Sequence, residues 1–374
     1  MPWLGALVGL VLVVLTLLDA FEVVLLPRPV RRRWRINMVF FAAAWAAWAW
    51  LARRLRPGRR REDFAGVFGP LSMVALFSAW AILLMVGFGL LHWSLQQLLG
   101  GDPPMTLAQA MGVSGDAFFT LGYGDVVPRH ATGRLLVIVE AGTGFGFIAL
   151  TISYLPVLYQ HFSRRDYQLV DFAARAGTPP TVAGLLAWHA AVDDPAAFTA
   201  WLRDWELWAS DMVESHSAYP MLAFYRSQHE GHSWLAALAV LLDVCALLIA
   251  GDETGGPPQA AATFTAARSA LRVVAGSLEI AVPSPSEAWS HAPGGAPGEA
   301  GIASLAPFLG VLGAGWRADA GAAERFGRLR RTCRPHLLAI AAYLLLDLPE
   351  WGDASPRRVG DVMTRLTGEG GSRD

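Results

Sequence analysis

Thr120-Leu121-Gly122-Tyr123-Gly124-Asp125, followed by Val126, Val127 and Pro128, lies between two apolar runs, Leu71–Trp93 and Leu135–Leu158. At 1.5 Å per residue, each run reaches about 35 Å as a helix and is long enough to cross a bilayer. The polar stretch between them has a glycine at alternate positions. Successive carbonyls that point the same way need backbone angles that only glycine adopts cheaply, which accounts for Gly122 and Gly124. One chain supplies one such strand, so enclosing an axis takes several copies. Upstream, Thr106-Leu107-Ala108-Gln109 has the pattern of a capping box just after the turn Gly100-Gly101-Asp102-Pro103-Pro104. It predicts a short helix whose negative C-terminal end faces the strand.

In this setting the six residues resemble the selectivity filter of potassium channels, where rings of backbone carbonyls replace the hydration shell of the ion. The resemblance covers residues 69–160. It implies an outer helix, a pore helix with filter and an inner helix. Potassium would be the transported ion, held by the carbonyls of Thr120, Leu121, Gly122 and Tyr123, with Asp125 closing the motif. The Thr120 hydroxyl would add an innermost ring, and Tyr123 would wedge outward to brace the strand. Gly133-Arg134 at the start of the inner helix also matches the family. Gly144 follows Gly124 by 20 residues, where family members often carry a hinge glycine. Gly142, Gly144 and Gly146 are therefore hinge candidates, with plain helix packing as the alternative. Three departures bear on how strict the filter is. Leu121 stands where valine or isoleucine is usual, Phe118-Phe119 replaces small hydroxyl residues, and no tryptophan precedes the filter.

Outward from this core, Pro2–Leu26 reads as a third span and a membrane anchor, without the cleavage pattern of a signal peptide. Met38–Ala52 is apolar but short, and carries Trp45, Trp48 and Trp50, residues that favour the lipid–water interface. Eleven arginines lie between Arg28 and Arg61, on both flanks of that segment. Positive flanks stay inside, so the segment reads as a helix lying in the inner interface, with anionic lipids as a candidate contact. The competing reading is a fourth span with Arg28–Arg35 outside.

Composition supports a membrane protein. Only 16% of residues are charged and mean hydropathy is +0.37, against about 25% charge in soluble domains. All 30 basic residues are arginine, which excludes chemistry that needs a lysine, such as a P-loop or a Schiff base. Cys245 and Cys333 are too few and too far apart for a zinc site or a disulfide framework. No nucleophile–base pair stands out, so an enzyme is not expected, nor is a cofactor or a nucleic-acid partner. No metal site is expected beyond potassium in the filter. The glycines of 142–146 are no dinucleotide fingerprint, since they sit inside a span.

Acids inside spans are functional candidates by default. Asp116 falls behind the filter. Glu140, on the inner helix, is expected either to tune cation occupancy with it or to bond a neighbouring subunit's pore helix. Asp19 and Glu22 share a face of the first span and are expected to pair with the adjacent arginines. Beyond Ser163 the pattern is helical. Trp201, Trp205 and Trp208 form the stripe of a buried face, and Leu235–Ala250 with Asp243 reads as a buried helix rather than a span. Gly251–Pro258 is a linker, Pro283–Gly301 a Pro/Gly/Ser-rich loop, and the chain from Gly352 a tail. His216 and Tyr225–His232 form the richest polar cluster, which reads as a surface, capping or inter-subunit feature, with ligand sensing as the sharper reading.

The expectation is an all-α membrane protein with four segments: an N-terminal transmembrane helix (1–27), an arginine-rich segment with the Trp-rich helix (28–68), a pore domain (69–160) and a cytoplasmic helical domain (161–374). It would act as a homotetrameric potassium channel of the inner (plasma) membrane, N-terminus outside and C-terminal domain cytoplasmic, gated by an unknown signal or ligand. The alternatives are a poorly selective cation channel and a membrane-anchored sensor or scaffold with a vestigial pore.

Overall fold

The computed structural model describes residues 2–25, 36–99, 105–128, 130–251, 256–284, 305–311 and 320–349. Arg28–Arg35, the Gly100–Pro104 turn, half of the Gly251–Pro258 segment, most of the Pro283–Gly301 segment and the tail from Gly352 lie outside them. Among the described residues every regular element is a helix, and no β-sheet is formed. The chain divides into two compact units, residues 1–54 with 67–160 and residues 55–66 with 161–374.

The first unit holds α1 (Pro2–Val24), α2 (Ile36–Ala52), most of α3 (Arg59–Leu99), α4 (Leu107–Phe118) and the first part of α5 (Ala131–Ala176). Three helices are long and apolar enough to cross a membrane: α1, α3 and α5. α1 runs antiparallel to α3 at close range. A Cβ on Gly9 would lie 2.6 Å from the Gly87 carbonyl oxygen, and one on Gly5 would run into Ser94 Oγ. The Gly-x-x-x-Gly spacing of Gly5 and Gly9 thus brings two backbones together, as small residues do in membrane helix pairs. α2 packs its aromatic face on α3, with Trp45 and Phe68 rings 4.8 Å apart.

At the other end of α1, Asp19 joins helices, while the arginines Arg28–Arg35 expected as its partners lie outside the described residues. Its Oδ2 accepts the Trp80 indole N–H (2.9 Å) and the backbone N–H of Asn37 (3.0 Å). The N-terminal end of α2 is suited to hold this carboxylate, because its unpaired N–H groups are already oriented. Asp19 therefore ties α1, α2 and α3 together.

The second unit is built around α8 (Trp234–Ala250), of which every residue but Ile249 is buried. Around it lie the ends of α3 and α5, then α6 (Val182–Val192), α7 (Pro195–Ala218), a 3₁₀ turn (Pro220–Phe224), α9 (Pro258–Ser277), α10 (Ala306–Val311) and α11 (Ala320–Leu344). Trp201, Trp205 and Trp208 of α7 are all buried, with Trp205 against Phe172 at 4.6 Å and Trp208 at 4.7 Å. Asp243 sits inside α8 as expected of a buried helix. It accepts both forks of Arg330, Nε at 2.8 Å and Nη2 at 2.9 Å, the bidentate geometry that a buried carboxylate needs.

Candidate functional site

The site begins where α4 begins. Thr106 caps the helix by a reciprocal pair: its Oγ1 accepts the Gln109 N–H (3.3 Å) and Gln109 Oε1 accepts the Thr106 N–H (2.9 Å). Gln96 of α3 accepts the Met105 N–H at 2.8 Å and fixes the entry. α4 then descends between α3 and α5. On the α3 side it approaches closely, since a Cβ on Gly89 would meet Met111 Sδ at 2.6 Å.

At the C-terminal end of α4 the backbone turns into the quoted strand. The Thr120 N–H donates to Ala117 O and the Leu121 N–H to Asp116 O (2.9 Å). Thr120, Gly122 and Gly124 have positive φ of 54°, 74° and 72°. Left-handed residues at alternate positions turn consecutive carbonyls toward a common side, and for Thr120 this conformation costs about 1 kcal/mol. Asp116 lies behind the strand, where its Oδ1 accepts the Tyr123 N–H at 2.9 Å. The strand itself is open: Leu121 is 52% exposed and Tyr123 73%. Its exit is anchored where Arg134 Nε donates to Pro128 O (3.2 Å).

α5 supports the strand from behind at two levels. Glu140, fully buried, joins three helices: Oε2 faces His92 Nε2 of α3 at 2.9 Å and Oε1 is hydrogen-bonded to Ser114 Oγ of α4. The helix it holds, α4, is that of its own chain. One turn further, Gly144 lies against the last turn of α4, where a Cβ would run into Phe118 O. Gly142 and Gly146 have open space instead. The three glycines thus differ: Gly144 is a contact between helix backbones, while its neighbours face away from it.

His92, Ser114 and Trp80 were not singled out from the sequence. His92 carried a readable signal, since an ionisable residue inside a span is a functional candidate. A serine or tryptophan there carries none until its partner is known.

The polar cluster of the second unit also resolves. Arg165, at the end of α5, is buried and donates to Leu222 O (2.8 Å) and Tyr225 O (2.6 Å), with its Nη1 3.2 Å from His216 Nε2. His216 Nδ1 lies 3.1 Å from Met212 O. The Nδ1–H therefore donates to that carbonyl, leaving Nε2 to accept from Arg165. Burial and the Arg165 charge push His216 down to about 3, and burial lowers Arg165 to about 10. Arg226 pairs with Glu62 of α3 (3.2 Å) and donates to the carbonyl of Leu344 at the end of α11. Arg61 pairs with Asp347 at 3.1 Å. The His229 and His232 rings lie 5.3 Å apart, yet no group of three or more His, Cys, Asp or Glu among the described residues could hold a metal ion.

Residues 77–160, under a quarter of the chain, match a family model described as an ion channel. An uncharacterized membrane protein of Bacillus subtilis (strain 168), YdjJ, is 26% identical over 200 residues, which is 52% of this chain and 57% of the relative. The match thus spans little more than half of that curated relative's length. No solved structure matches. The chain carries an ion-channel domain and is an all-helical membrane protein.

Proposed function

We propose that four copies of this chain assemble around the 120–125 strand into a potassium-selective channel. The observation that carries the reading is a strand with left-handed backbone at Thr120, Gly122 and Gly124, seated on a capped helix yet exposed within its own chain. Four such strands would offer potassium successive rings of carbonyl oxygens from Thr120, Leu121, Gly122 and Tyr123. Ions would pass by mutual repulsion between adjacent weak sites. Asp116 would fix the strand's curvature through the Tyr123 N–H, and the negative end of α4 would favour a cation on the path.

The protein would sit in the plasma membrane with the N-terminus outside and residues 161–374 in the cytoplasm. The gate would lie on α5 and respond to the second unit, which holds the end of that helix through Arg165. Near the inner surface, Arg54 stacks on Trp50 at 3.6 Å, a pairing suited to anionic headgroups.

The test is ion flux from purified protein in liposomes, with potassium or sodium as the driven ion and barium as blocker. Potassium-preferring, barium-sensitive flux from a tetramer supports the reading. Equal flux of both ions would point to relaxation by Leu121 and Phe119. Absent flux, both in the full-length tetramer and after removal of the second unit, would leave a scaffold.

A further inference from the structure

Ser114 Oγ is within hydrogen-bond reach of two oxygens, Met85 O of α3 at 2.7 Å and Glu140 Oε1 of α5. A serine hydroxyl has one proton. If that proton goes to Glu140, Ser114 and Met85 O face each other lone pair to lone pair at hydrogen-bond distance. If it goes to Met85 O, the contact with Glu140 needs a proton from the carboxyl side. The second arrangement satisfies every contact. Glu140 donates to Ser114, Ser114 donates to Met85 O, and Glu140 Oε2 accepts the Nε2–H of a neutral His92. It also leaves no charge in a fully buried site, where an ionised carboxylate or a carboxylate–imidazolium pair would be desolvated.

We infer that Glu140 carries a proton and that Glu140, Ser114, Met85 and His92 form a neutral directional chain which seats the pore helix between the outer and inner helices. Glu140 is thus a positioning residue for the strand, acting through Ser114 two residues before Asp116. Other charged groups on the packed elements are engaged elsewhere: Asp116 with the Tyr123 N–H and Arg134 with Pro128 O. α1 carries no charge over residues 2–18, and its Asp19 is engaged with Trp80 and the Asn37 N–H. The inference rests on the proposed channel only for its bearing on flux; the proton's place is independent of which ion passes.

Infrared spectra of the full-length protein in lipid, with carboxyl-labelled glutamate, test it directly. At neutral pH the difference between wild type and Glu140→Gln should contain the carbonyl stretch of a protonated acid, shifted by the label. A difference confined to carboxylate bands would overturn the inference. A second readout is the fraction of assembled protein that survives heating. A glutamine amide at this position can donate to Ser114 and accept from His92, so Glu140→Gln should match wild type within about twofold, while Glu140→Ala strands buried partners and should lose roughly tenfold or more. Were His92 charged, Glu140→Gln would strand an imidazolium and fail as badly as alanine, which would also overturn it. Since neither readout needs conduction, a protein that shows the band but no potassium flux would count against the channel reading alone.

Discussion

The 120–125 strand and helix α8 are opposite extremes of the same chain. The strand leaves Tyr123 73% exposed and takes its conformation from glycines and one carboxylate behind it. α8 is buried along its length and takes its place from side chains on every face. A single chain thus completes the second unit, whereas it only presents the strand. Under the proposed assembly, further copies would supply what the strand lacks, which would account for sparse side-chain chemistry beside a backbone specified residue by residue.

Substitutions should separate the two. The largest effect is expected at Gly122, where a side chain at φ 74° costs about 1–2 kcal/mol per strand and is repeated in every copy of the ring. Gly122→Ala should abolish selective flux in liposomes while the circular-dichroism melt of the second unit stays unchanged. Persisting selectivity would remove the filter reading. In α8 the pattern reverses. Asp243→Ala leaves Arg330 buried without its carboxylate and should cost about 3–5 kcal/mol of stability, while Asp243→Leu with Arg330→Leu should recover most of it. Arg165→Ala strands Leu222 O, Tyr225 O and His216 Nε2, for about 3 kcal/mol. It should also change potassium flux without altering the potassium-to-sodium ratio, if the second unit acts on the gate and not on the strand.

Acid should act on the second unit. His189 and His216 are held near 3 by burial, each with an arginine as a lesser cause, against an ordinary 6.5. Below about 6.5 the unfolded chain binds protons that the folded unit refuses. Stability should therefore fall as pH drops from about 6.5 toward 3 and level off beneath that. His189→Phe should flatten part of the slope in a melting series against pH. The smallest effect is expected at Thr106→Ala, which removes one half of the capping box for about 1 kcal/mol and should lower the thermal survival of the assembled protein only slightly.

The sequence was most legible where a pattern is local. The three spans, the capping box at Thr106–Gln109, the tryptophan stripe of α7 and the burial of α8 all follow from spacing along the chain. The Gly5–Gly9 spacing was equally local but passed unread. Partners far apart in the chain were not legible. Nothing near residue 140 announces that Glu140 meets His92 and Ser114, 48 and 26 positions away, or near residue 19 that Asp19 meets Trp80 and the start of α2. Equally, the glycines of 142–146 read alike in sequence, and the contact with Phe118 O distinguishes the middle one.

In the proposed channel, that contact would separate a sieve from a shutter. At Gly144 the inner helix is keyed to the backbone of α4 with no side chain between them, so it cannot swing there without dragging the end of the pore helix along. Pro156 lies on the same helix, about 18 Å further on, and it removes a backbone donor and weakens the rod. A pivot at that level would let the inner end of α5 move while the scaffold around Gly144 stays still. Passage could then be opened and closed without loosening the part that tells one ion from another.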